Sequence, residues 1–251
     1  MNLFRILILI SSLALTACGS VPNKNPADPF ESFNRGVYSF NDKVDKGLAK
    51  PLAKGYHAVM PDTGKIMVSN FFSNLDDVLV TFNDLLQFKL KQGFSDGMRV
   101  LVNTTIGIGG LVDVASDRLP KHNEDFGQTL GYWGFGDGPY LVLPFLGSST
   151  LRDTLGLYPD SLASPISNTQ HIPTRNQMIL TKAINRRAQL LENEKLLDEA
   201  ALDRYQFLRD SYLANRKNLV YDGNPPREKY EEYEDEIEPV SGVAVVPAGV
   251  K

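Results

Sequence analysis

The stretch at residues 133–147, WGFGDGPYLVLPFLG, restricts what this chain can fold into more than any other. It is as apolar as a buried helix. Yet Gly134, Gly136, Gly138, Pro139, Pro144 and Gly147 forbid a long regular helix or a central strand. The segment therefore needs surroundings that accept apolar side chains on irregular backbone. In lipid, each exposed backbone polar group costs several kcal/mol, so such backbone survives only against protein or a wet cavity.

The N-terminus points to the same kind of environment. Arg5 precedes the apolar residues 6–15, and Leu15-Thr16-Ala17-Cys18 follows. A positive region, a short apolar run and small residues are the layout of a secretory signal. The run is too short for a spanning helix, which needs roughly 20 apolar residues. Cys18 is the chain's one cysteine, so no intramolecular disulfide can form. LTAC resembles the bacterial lipobox, whose cysteine is lipidated and becomes the new N-terminus. Gly19 stands where an Asp would mark inner-membrane retention. The resemblance implies a signal peptide at 1–17, a lipid anchor at Cys18 and a place on the periplasmic face of the outer membrane.

Residues 18–27 read as a tether and residues 28–221 as one domain. From 222 to 251 the pattern is that of a disordered acidic tail. Residues 222–238 hold eight acids and two bases, or −6, against −4 for the whole chain, so the remainder is close to neutral. No basic stripe for nucleic acid is present.

The body reads as all-α. Asp28, Pro29 and Glu31 look like a cap, an N1 proline and a capping box. Phe30, Phe33, Val37, Phe40, Val44 and Leu48 follow at helical spacing, and Pro51 is expected to end the helix. Asn34 and Asn41 flank that stripe seven residues apart. A second helix is expected over 66–90, with Phe71, Leu75, Leu79, Phe82 and Leu86 on one face and Asn70, Asn74 and Asn83 near it. A third begins near Phe94 and runs into RVLVNTTIGIGGLVDVAS, uncharged between Arg99 and Asp113, which suits burial part-way into one leaflet. A long amphipathic region over 175–216 closes the body, marked by Leu190, Leu197, Tyr205, Leu208 and Tyr212.

Nothing in the chain forms a catalytic constellation. The three histidines lack metal-ligand spacing, no G-x-S-x-G is present, and Val112 stands where a G-x-G-x-x-G would need its third glycine. The stretch 122–125, HNED, reads as a solvated loop. No metal and no cofactor is expected, and the chain does not read as an enzyme.

DPFESFNRGVYSFN, KPLAKGY, NFFSNL, RVLVNTTIGIGGLVDVAS, EDFGQTLGYWGFGDGPYLVLPFLGSSTLRD and RAQLL resemble, in order over residues 28–216, the VacJ/MlaA family of outer-membrane lipoproteins. The resemblance implies a single helical ring-shaped domain embedded in one membrane leaflet around an amphipathic channel, with the Gly/Pro-rich apolar segment as an irregular hairpin. It implies removal of mislocalised phospholipids from the outer leaflet to a soluble periplasmic carrier (MlaC-like), in association with trimeric porins. On that basis Asn34 and Asn41, with Asn70 and Asn74, are expected to face the channel or its supporting shell. Gly134, Gly136 and Gly138 are expected to be joints of the hairpin. Two other readings stay open: a structural lipoprotein that binds porins without moving lipid, and a lipid-hydrolysing enzyme.

Overall fold

The computed structural model describes residues 25–192, 194 and 202–226. Cys18, Leu197 and residues 227–251 lie outside them. The chain runs as α1 (Glu31–Val44), a π-helical turn (Asp45–Ala49), α2 (Lys50–Val59), α3 (Asp62–Leu86) and α4 (Leu90–Thr105). There follow α5 (Phe126–Tyr132), the strands β1 (Tyr140–Leu143) and β2 (Gly147–Thr150), α6 (Leu151–Ala163), α7 (Ile172–Gln189) and α8 (Arg204–Val220). The strands pair antiparallel, Tyr140 opposite Thr150 and Leu143 opposite Gly147.

Several local expectations are corrected. Pro51 does not end the first helix but sits in the first turn of α2. The π turn just before it widens the backbone ladder, so the missing proline N–H breaks no bond the chain relied on. Asp28 does not cap α1, whose first residue is Glu31 after Phe30; it is buried and bonded elsewhere. Within the region at 175–216, α7 ends at Gln189 and α8 begins at Arg204. Asp203 caps the second, accepting from the amides of Tyr205 at 2.9 Å and Gln206 at 3.2 Å.

Contacts between elements close a ring. α1 lies on β1, β2 lies on α6 and α8, and both of those helices touch α5. α5 and α6 reach α3, α3 meets α7, α7 meets α2, and the π turn returns the circuit to α1. Polar contacts fasten the joints. Arg187 of α7 donates to Asp45 of the π turn at 2.6 and 2.9 Å, and Arg35 of α1 donates to Asp203 at 2.7 Å.

The ring is inside out. Among the described residues nine buried side chains are hydrophobic and twenty are polar or charged. α3 shows how one helix does this: Asn74, Asp77, Asn83 and Asp84 are buried, while Val78, Phe82 and Leu85 are exposed. On α1 the stripe of Phe30, Phe33 and Phe40 faces outward and Asn34 inward. The ordinary hydrophobic core is small, built on Tyr140, Val142 and Tyr205. No helix among the described residues is long and apolar enough to cross a membrane. Helices that turn apolar side chains outward suit a ring set into one leaflet.

Close approach of backbones at α5 and α6 depends on glycine. A Cβ on Gly156 would lie 2.6 Å from the Gly127 amide nitrogen, whereas a Cβ on Gly36 meets nothing within 4 Å. Gly156→Ala is expected to destabilise by ~1–3 kcal/mol through overpacking, while Gly36→Ala, inside α1 with open space around it, is expected to stabilise by ~0.5–1 kcal/mol. Thermal unfolding of detergent-solubilised protein followed at 222 nm checks the contrast.

Candidate functional site

The hairpin is held by side chains of α1. Asn34 donates to the Tyr140 carbonyl at 2.9 Å and accepts from the Val142 amide at 2.9 Å. Asn41 donates to the Leu143 carbonyl at 2.9 Å and accepts from the Phe145 amide at 2.8 Å. The spacing explains itself. Seven helical residues advance about 10.5 Å and return to nearly the same face, and three strand residues, from Tyr140 to Leu143, advance about 10 Å. Two amides a heptad apart therefore replace a neighbouring strand along the open edge of β1.

Asn34 is itself anchored. It also donates to Asp28 at 2.8 Å, and the other Asp28 oxygen accepts from the Tyr205 hydroxyl at 2.6 Å and Arg209 at 3.4 Å. The Tyr140 amide donates to the Ala27 carbonyl at 2.8 Å, so the end of the expected tether is already part of the body. Asn34 is fully enclosed and shows no surface of its own.

Asn70 and Asn74 serve a second irregular apolar segment, residues 106–114. Asn70 donates to the Leu111 carbonyl at 3.2 Å, and Asn74 donates to Thr104 at 2.9 Å beside Gly110. Asn103 joins them, accepting from the Ala115 amide at 3.0 Å and donating to Asp113 at 2.9 Å. Ile106 and Ile108 at this segment, like Phe145 and Leu146 at the hairpin tip, are more than half exposed. Asn34 and Asn41 thus satisfy the hairpin backbone and Asn70, with Asn103, that of the second segment, while Asn74 bonds only to the side chain of Thr104 on α4.

Of the hairpin glycines, Gly134 has φ +91° and Gly138 φ +66°, where only glycine is free of strain. Gly136 lies outside that region, and neither Gly134 nor Gly136 has an atom within 4 Å of a would-be Cβ. Close packing does not account for either.

Beneath the hairpin, α5, α6 and α8 enclose a cavity of about 240 Å³. Its lining mixes apolar side chains, Leu143, Leu146 and Leu157, with charged ones, Asp125, Asp153 and Arg216. Arg216 forms a bidentate pair with Asp125 and reaches Asp153 at 2.8 Å, while Tyr212 donates to Asp153 at 2.8 Å. Burial opposes charge on both carboxyls, but the guanidinium outweighs it and holds them below the usual carboxylate range. Asp160, also in the lining, is pushed up to about 6 by burial and by the charge on Asp125.

The expected solvated loop at 122–125 is corrected too. Glu124 is buried, accepting from Gln87 at 2.9 Å and Lys89 at 3.0 Å, and His122 stands 2.8 Å from buried Asp96. Asp84, buried in the same cluster, is pushed up to about 8 by burial and by Asp96. Among the described residues no group of three or more His, Cys, Asp or Glu is arranged to hold a metal. Sequence reasoning missed Asp28, Tyr205, Arg209 and Arg216. The repeated Phe-Asn of FNRGVYSFN was the visible signal for the asparagine pair; the others pair across 91 to 181 residues.

Fold and site define a helical ring protein of one membrane leaflet, apolar outside and polar within. The chain belongs to the MlaA lipoprotein family, whose model matches residues 26–219. It is similar to the intermembrane phospholipid transport system lipoprotein MlaA of Shigella flexneri, 34% identical over 223 residues, 86% of this chain and 88% of that one. The Haemophilus influenzae protein of the same name is 31% identical over 226 residues, covering 86% and 89%. A solved structure, described as the structural basis for maintenance of bacterial outer membrane lipid asymmetry, matches with TM-score 0.68 and 33% identity, over 78% of this chain and 99% of that one.

Two outcomes check this geometry. Asn41→Ala is expected to speed hydrogen exchange at the Phe145 amide by about fivefold, as loss of a net ~1 kcal/mol bond requires, and to leave Val142 protected. The second concerns pH. The raised Asp84 keeps its proton in the folded state where the unfolded chain has released it. Its stabilisation is therefore fully present below pH ~4 and is lost as pH rises towards 8. Asp84→Asn, which mimics the protonated form, is expected to flatten the decline in unfolding free energy between pH 5 and 8 by at least ~1.4 kcal/mol.

Proposed function

We propose that this chain is an outer-membrane lipoprotein, anchored at the periplasmic face through lipid on Cys18, that removes phospholipids from the outer leaflet. They cross the interior of the ring and pass to a soluble periplasmic carrier of the MlaC kind, with a trimeric porin holding the ring in place. The relatives named for intermembrane phospholipid transport support the class of cargo. The observation that carries the reading is a cavity under the hairpin lined by both apolar and charged side chains, in a ring whose outer surface is apolar. A phospholipid needs that pair of surfaces, one for its headgroup and one for its tails.

No nucleotide-binding motif is legible in the chain, so the protein opens a downhill path and direction comes from its partners. Cells lacking the gene are expected to expose phospholipid on their surface, and the parent gene to restore asymmetry. Unchanged surface phospholipid on loss would favour the porin-binding scaffold instead. Cys18→Ala separates the anchor from the ring: it should leave precursor or mislocalised protein.

The left-handed glycines before β1 are the joints on which the hairpin region moves in this reading. Proline at Gly134 would demand φ near −65° where the backbone has +91°. Gly134→Pro is expected to reach the membrane at parental level yet lose most lipid clearance, whereas Gly136→Ala clears normally. Membrane fraction and surface phospholipid measured together decide it. Parental clearance by Gly134→Pro would remove the moving-hairpin step.

A further inference from the structure

Away from the hairpin, at the corner where α3 gives way to α4, a groove of about 940 Å³ opens between residues 88–98 and 118–122. Its apolar lining includes Phe88, Phe94 and Met98, with Phe88 79% and Phe94 73% exposed. Its charged lining has one sign. Lys89, Lys91 and Arg118 border it together with His122, and no carboxylate does.

The carboxylates that answer two of these groups stand behind the wall or at its lip. Lys89 reaches buried Glu124 at 3.0 Å and pairs with Asp222, and His122 faces buried Asp96. Lys91 and Arg118, one on α4 and one on the facing segment, are exposed, and neither has a carboxylate in ion-pair reach among the described residues. The groove thus offers two unanswered cations above an apolar floor.

We propose that this groove binds an anionic phospholipid of the surrounding leaflet, its phosphate between Lys91 and Arg118 and its acyl chains over Phe88, Phe94 and Met98. Two features of the groove select that occupant. The volume is that of a full ligand site, at the upper end of the roughly 300–1,000 Å³ range. A zwitterionic headgroup would bring its ammonium into a lining that holds cations and no carboxylate, whereas a phosphodiester with an uncharged headgroup meets only attraction. The site would make the ring prefer one headgroup class, in addition to the passage through its interior.

The proposal rests on the ring's seat in a phospholipid leaflet. Clearance is read in cells and this binding on purified protein, so each can fail without the other. The test is titration of full-length protein in neutral detergent with dioleoyl phosphatidylglycerol, dioleoyl phosphatidylcholine or glycerol phosphate, followed by thermal shift and native mass spectrometry. Phosphatidylglycerol should bind, the other two weakly. Lys91→Gln with Arg118→Gln should weaken it about tenfold or more, and Phe94→Ser should weaken it with both cations in place. Lys54→Gln, an exposed lysine of α2, should bind as the parent does. Equal binding of phosphatidylcholine or of glycerol phosphate overturns the proposal, as does parental affinity in the double variant with unchanged circular dichroism. Binding that arises only after residues 227–251 are removed also overturns it, since the acidic tail would then be the occupant.

Discussion

Irregular backbone in an apolar setting must have its N–H and C=O groups answered by protein, because lipid answers none of them. In this ring asparagine side chains supply the answer. Asn34 and Asn41 complete the open edge of β1, and Asn70 and Asn103 bind the backbone of the segment after α4. An amide suits the task because it donates and accepts from one planar group, as a backbone peptide does. Without those bonds neither Phe145 and Leu146 nor Ile106 and Ile108 could be carried outward on loops.

The same constraint decides what fills the interior. Against lipid, an apolar helix face gains little by turning inward, so packing of oil against oil cannot set the arrangement of the helices. Polar networks do so instead. Arg216 gathers Asp125 and Asp153 from two other elements, and Arg99 donates to Asp113 and to the Leu119 carbonyl. Buried ion pairs are weak sources of net stability but lose heavily when one partner is removed. Such pairs penalise any wrong assembly, which is the service a ring with a thin apolar core needs.

Helical periodicity was legible because a 3.6-residue pattern looks the same whether its apolar face turns to a core or to lipid. For that reason the stripes on α1 and α3 could be read, though the outward direction of Phe30, Phe33 and Phe40 could not be read from spacing alone. The Gly/Pro-rich stretch announced a hairpin by what it forbids. Elsewhere local rules failed where distant partners overrode them. Asp28 has the position of a cap, yet Asn34, Tyr205 and Arg209 claim both its oxygens. Pro51 has the look of a terminator, but the π turn before it makes room. The stretch 122–125 is polar enough for a solvated loop, yet Glu124 is buried against Gln87 and Lys89 and His122 faces Asp96. Pairings across 26 to 181 residues leave no mark on local composition.

The two asparagines under β1 are not equal. Asn34, near the base of the hairpin, is fully enclosed and tied to Asp28, whereas Asn41, towards the tip, is only partly buried and holds backbone alone. Water or a lipid headgroup can compete for the second pair of bonds far more easily than for the first. Mechanically, the hairpin is a cantilever: clamped at one end, sprung at the other. Its compliance rises along its length, so a load on Phe145 would peel the tip from α1 and leave the root of the beam seated. The width of the cavity beneath would then vary by bending at the tip, a finer adjustment than a swing on the glycine joints, with no element leaving the ring.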